Sequence, residues 1–200
     1  MQQEGVLPNS GTFGGLLNVC ASMVALEEGR YANEQVIQSG WDSDVFVGNC
    51  LVDMYAKPGS MEDAWRASNK LSSCYVVSWN AILGGCAMHG HGKEALIQFE
   101  WMCEEGVQPD DVTFVCLLSA CSHAGLVAKG MHCYASMIPV YMVSAKLEHG
   151  TCMVNVLGCA GHLKEAEDII NVIPHMAPWK ALLSACRILG TLEMGKHDAK

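Results

Sequence analysis

A bend that returns at nearly fixed intervals constrains this chain more than any other feature. Val24, Gly59, Gly90, Gly125, Gly161 and Gly190 stand at equivalent bends, 35, 31, 35, 36 and 29 residues apart. Five residues after each bend comes a small residue, in order Gly29, Ala64, Ala95, Gly130, Ala166 and Gly195. A period in this range marks stacked supersecondary units that cannot bury their apolar faces alone. The phrases "LLNVCASMVALEEG" (16–29), "LLSACSHAGLVAKG" (117–130) and "LLSACRILGTLEMG" (182–195) share one register.

Between the bends the apolar residues recur with a helical period. Trp79, Ile82, Leu83 and Cys86 fall at i, i+3, i+4 and i+7, and Leu96, Phe99 and Cys103 mark a second face beyond "HGHG" at 89–92. Spacing of this kind puts one apolar stripe on each helix, and glycine eases the turn between them. Each unit therefore reads as a helical hairpin, and the small residue after the bend lets the second helix approach the first. Helix pairs are predicted at 12–22 and 26–38, 46–56 and 60–71, 78–88 and 92–105, 112–122 and 126–137, and 149–159 and 163–173. An incomplete pair follows Trp179. The six prolines lie mostly near these helix ends, where a missing N–H is tolerated. The fold class is all-α: a right-handed α-α superhelix of tandem helix-turn-helix repeats.

Composition narrows the function. Half of the 200 residues are apolar and 16% are charged, which suits a folded chain, and no apolar run approaches the length that spans a bilayer. A net charge of −9 argues against gripping duplex DNA through a broad basic surface, but leaves room for a groove that reads single-stranded bases. Neither a signal peptide nor an Arg-rich presequence is visible in "MQQEGVLPNSG". The 11 cysteines are odd in number and contain no C-x-x-C, and Cys20, Cys121 and Cys186 share one repeat position, so reduced core thiols are expected, with no metal site and no cofactor. His89, His91 and His123 sit at bends and read as solvated. Nothing in the chain suggests a catalytic group.

The phrases "VFVGNCLVDMYAKPGSMEDA", "VVSWNAILGGCAMHGHGKEAL", "GVQPDDVTFVCLLSACSHAGLV" and "WKALLSACRILGTLEMG" resemble plant pentatricopeptide repeat proteins, in the subclass that alternates standard, long and short repeats. The resemblance implies a tail of a truncated repeat at 1–9, then a long repeat at 10–44, a short one at 45–75 and a standard one at 76–110. A long repeat at 111–146 and a degenerate short one at 147–178 follow, and 179–200 opens an extension-like motif. It also implies selective binding of single-stranded RNA in a mitochondrion or chloroplast, mostly in the service of cytidine-to-uridine editing.

In that family two side chains choose each base, one at the fifth residue of the repeat and one at its last. For 76–110 they are Asn80 and Asp110, a combination that favours uridine. Val77 and Val112 match positions that sandwich a base. Repeat 10–44 offers Gly14 and Asp44, an incomplete selector; repeat 45–75 offers Asn49 but ends in Tyr75. Repeat 111–146 has Val115 and a divergent "VYMVSAK" ending. From the residues alone, Asn80 is also a helix-start residue and Asp110 also an N-terminal cap. Cytidine deamination needs an H-x-E with C-x-x-C, which this sequence lacks, so the chemistry would belong to a missing C-terminal domain or to a deaminase or accessory editing protein in trans. A protein-binding scaffold of the tetratricopeptide kind, and a truncated copy without activity, are the alternatives.

Overall fold

The fold is seen in a computed structural model that describes residues 8–71 and 75–172. The described residues form helices joined by short bends: α1 Ser10–Ser22, α2 Leu26–Gln38, α3 Val45–Ala56, α4 Met61–Asn69, α5 Val76–Met88, α6 Gly92–Glu104, α7 Asp111–His123, α8 Val127–Ser136, α9 Leu147–Cys159 and α10 Leu163–Val172. The pair expected after Trp179, with Gly190 and Gly195, lies outside the described residues.

Each odd-numbered helix packs beside the next odd one, α1 on α3 through to α7 on α9. Each even-numbered helix packs on its own hairpin partner, and α2, α4, α6 and α8 also touch the following odd helix. Among the described residues the even helices meet one another through long side chains rather than through close-packed backbones: Arg30 of α2 pairs with Asp63 of α4 at 3.1 Å, and Trp65 of α4 meets Trp101 of α6 edge-on. The result is two layers, a continuous inner row and a looser outer row, as expected for an all-α superhelix of stacked hairpins.

The bends explain the period. Val24, Gly59, Gly90, Gly125 and Gly161 all take left-handed backbone, with φ of 54°, 88°, 70°, 66° and 83°. The next N–H then bonds back across the helix end: Ala25 to the Cys20 carbonyl, His91 to Cys86 and Leu126 to Cys121, each at 2.9 Å. These bonds satisfy carbonyls that a helix end would otherwise leave open. The recurrent cysteine position is thus the place where a buried side chain and this closing carbonyl belong to one residue. Burial pushes the Cys86 and Cys116 thiols up to about 11, away from thiolate chemistry, and the nine described cysteines are unpaired by disulfides.

Val24 departs from the glycine pattern, since a β-branched residue is strained at positive φ and this side chain is half exposed. Val24→Gly is expected to stabilise the chain by about 1 kcal/mol. Urea unfolding followed by circular dichroism checks this; an unchanged or lower midpoint contradicts it.

Ala64, Ala95 and Ala166 are fully buried. At Gly130 a side chain would sit 3.4 Å from Cys121 Cβ of the same hairpin, the approach expected from the sequence. At Gly29 the reason is different: a Cβ would fall 2.1 Å from Met54 Sδ, so the close neighbour is α3 of the following hairpin.

The core runs along the stack without a single centre. Phe99, Phe114 and Tyr141 form a three-ring cluster with centroids 5.3–5.6 Å apart and edge-on angles of 60–65°. Tyr141 belongs to the divergent "VYMVSAK" stretch, so that departure from the repeat pattern supplies an aromatic plug to the α6–α7 core. His89 and His123 are exposed as expected but not merely solvated. The ring of His89 meets the Lys57 carbonyl at 3.0 Å and that of His123 the Ala87 carbonyl at 2.6 Å, so each ties its bend to the helix end of the preceding hairpin.

Candidate nucleic-acid interface

The odd-numbered helices begin at Ser10, Val45, Val76, Asp111 and Leu147, which places the fifth residue of each in its second turn. Asp110 precedes α7 in extended backbone, φ −112° and ψ −173°, and caps it: its Oδ1 accepts the Thr113 N–H at 2.9 Å, while its own N–H donates to Thr113 Oγ1 at 3.1 Å. Such reciprocal bonds satisfy two donors at a helix start. The same Oδ1 also accepts from Asn80 Nδ2 at 3.0 Å, across the α5–α7 contact. Asn80 Oδ1 in turn accepts from the Thr113 hydroxyl at 2.6 Å. Asp110 is therefore both the cap of one helix and the orienting group for an amide on another.

The other positions are built differently. Asp44 caps α3 through the Val47 N–H at 3.0 Å, and Gly14 offers no side chain across from it. Asn49 Oδ1 accepts from the Ser78 hydroxyl at 2.5 Å, but Tyr75 is exposed and makes no side-chain cap for α5. Farther along, Val115 faces no amide-binding acid. Lys146 pairs with Asp111, which pulls that carboxyl below and pushes the ammonium above its ordinary range. His149 is fully buried: its Nδ1 accepts the Lys146 N–H and its Nε2 meets the Asp111 carbonyl, both at 2.9 Å. The Lys146 N–H makes Nδ1 the acceptor, and the carbonyl partner makes Nε2 the donor.

Between α3, α5 and the start of α7 lies a cleft of about 530 Å³ lined by Asn49, Asn80, Val77, Val112, Phe46 and Asp53, among others. Phe46, Val77 and Val112 are each about half exposed and are the second residues of three successive odd helices. They form a ladder of apolar edges beside the two amides. Phe46 was not singled out in the sequence, although its register matches that of Val77 and Val112. Its ring lies over Gly14: a Cβ there would be 2.3 Å from Phe46 Cε1. Among the described residues no group of three His, Cys, Asp or Glu is placed to hold a metal ion, and no helix is long and apolar enough to cross a membrane.

Two layers of antiparallel helix pairs, with a largely apolar cleft that holds two amides along the inner row, define an α-solenoid of helical repeats. The PPR repeat family profile matches residues 75–123, and the PPR repeat profile matches 112–138 and 151–174. The whole chain is 40% identical to two Arabidopsis thaliana proteins, pentatricopeptide repeat-containing protein At5g46460, mitochondrial, over 203 residues, and At2g13600 over 210. It covers 29% and 30% of them, so it spans less than a third of these relatives. Among solved structures, the maize pentatricopeptide repeat protein PPR10, in its complex with an 18-nt psaJ RNA element, superposes with a TM-score of 0.77 at 21% identity, over 92% of this chain and 27% of that one. The chain belongs to the pentatricopeptide repeat family.

Proposed function

We propose that this chain reads single-stranded RNA one base per repeat, with Asn80 and Asp110 selecting uridine. The observation that carries the reading is the Asn80 amide, which lines the cleft with its nitrogen turned to the Asp110 carboxylate. A carboxylate only accepts, so it favours the NH₂ over the carbonyl on its side. The free N–H and lone pair of the amide then meet a base in one orientation, and uracil, with an N3–H donor between two carbonyls, matches it. Val77 and Val112 flank that base from the two sides. Repeats are taken to begin at 10, 45, 76, 111 and 147, so Gly14 with Asp44 and Val115 with Lys146 lack an amide, and reading there is loose.

The family's wider role supports placing this chain in an organellar factor of plants, where it supplies the address on a transcript. A deaminase acting in editing would come from another polypeptide or another segment. The repeats bind and do not transform their ligand.

Binding measured by fluorescence anisotropy on RNAs that differ at one nucleotide tests the reading: uridine opposite residues 76–110 is expected to bind tightest, and equal affinity for every base overturns it. Phe46 extends the stacking ladder, so Phe46→Ala is expected to weaken all RNAs alike by about 1–3 kcal/mol. A loss confined to one base contradicts that role.

A further inference from the structure

We infer that the hydroxyl at the third residue of the following repeat, Thr113 behind Asn80 and Ser78 behind Asn49, is a specificity-setting positioning group. The inference rests on the RNA-reading proposal above. Its first support is a comparison of four junctions within this chain. Where the fifth residue is Asn, the third residue of the next repeat carries a hydroxyl bonded to its Oδ1: Ser78 to Asn49 at 2.5 Å and Thr113 to Asn80 at 2.6 Å. Where the fifth residue is Gly14 or Val115, the third residue of the next repeat is Val47 or His149. All four third-position side chains are fully buried. A buried hydroxyl without a partner is costly, so amide and hydroxyl occur together.

The two hydroxyls are not equivalent. Thr113 Oγ1 already accepts the Asp110 N–H, and Asp110 Oδ1 already receives two N–H groups, from Thr113 and Asn80. The single hydroxyl proton therefore goes to the nearer atom, Asn80 Oδ1, 2.6 Å away against 2.9 Å to Asp110 Oδ1. Carboxylate and hydroxyl thus hold the amide from both ends and forbid its 180° flip. Ser78 has no such commitment, because Tyr75 provides no capping carboxylate and the hydroxyl can donate to Oδ1 or accept from Nδ2. Uracil and cytosine exchange donor and acceptor at N3 and C4, so they ask for opposite orientations of an asparagine amide. A locked amide separates them, whereas a reversible one takes either. Asn80 accordingly discriminates uridine from cytidine, while Asn49 accepts both pyrimidines.

The test uses the full chain and two pairs of RNAs, uridine against cytidine opposite 76–110 and opposite 45–75. In the unmodified protein, uridine is expected to be favoured roughly tenfold at the first position and the two bases to bind within about twofold at the second. Thr113→Val, which keeps the side-chain shape, is expected to reduce the first ratio to about twofold, and Thr113→Ser to restore it. The ratio compares two RNAs on one protein, so a partly unfolded variant does not distort it. A Thr113→Val protein that keeps its full uridine preference overturns the inference and leaves the RNA-reading proposal standing. A clear preference between pyrimidines at Asn49 also overturns it. An unmodified protein indifferent to the base at both positions overturns the RNA-reading proposal itself.

Discussion

Asn80→Ala is expected to abolish the preference for uridine at its nucleotide, a loss of about 1–3 kcal/mol in discrimination, while binding to RNAs changed elsewhere keeps its sequence dependence. The size follows from the proposed reading, in which both polar atoms of the amide meet the base and no neighbouring side chain replaces them. Asp110→Asn is the informative companion. Asparagine caps helices about as well as aspartate, so α7 keeps its start. Its amide can present either oxygen or nitrogen, so the Asn80 group is no longer held in one orientation, and the preference relaxes toward either pyrimidine. Asp110→Ala removes the cap as well, adding a stability loss of about 1 kcal/mol. Selection from a randomised RNA pool by the three proteins reads these outcomes side by side. Retention of a uridine preference by Asn80→Ala would sink the assignment of that residue.

Phe114→Ala is expected to lower stability by about 3–5 kcal/mol. Phe114 is fully buried, and its ring meets Phe99 of α6 and Tyr141 beyond α8 edge-on. Truncation leaves a cavity between two hairpins that a rigid stack closes poorly. Because each repeat leans only on its neighbours, the loss is expected to open the α6–α8 region ahead of α1–α3. Hydrogen exchange by mass spectrometry, together with urea unfolding, measures both the size and the place of the effect. A shift below about 1 kcal/mol, or uniform opening along the chain, contradicts it.

The bends and helices were legible because they rest on local chemistry. A glycine at positive φ, a small residue five positions on and an apolar stripe at period 3.6 each leave a mark within a dozen residues, and α1, α2, α3, α5 and α9 end where the pattern ends. The fold class followed from that repetition. Asn80 and Asp110 are 30 residues apart, and only the family register suggested that they face one another.

The hydroxyls of Ser78 and Thr113 carry no sequence signal by themselves, since serine and threonine are common in a first helical turn. Their role emerges once α5 and α7 are side by side. Phe46 had a signal that was passed over: an aromatic residue in an apolar helix looks like core, yet it stands in the same register as two valines read as stacking groups. Tyr141 was hidden for the opposite reason, because it lies in a stretch that leaves the repeat pattern. His89 and His123 seemed idle at bends until the preceding hairpin placed carbonyls within 3.0 Å of them.

The most direct test of the central claim is a crystal structure of this chain bound to a short RNA bearing uridine at the position with greatest selectivity. The account predicts one uracil between Val77 and Val112, with its edge within hydrogen-bond distance of the Asn80 amide and the Asp110 carboxylate behind that amide. RNA lying on the outer helices, or a base in the cleft that does not meet Asn80, would contradict it.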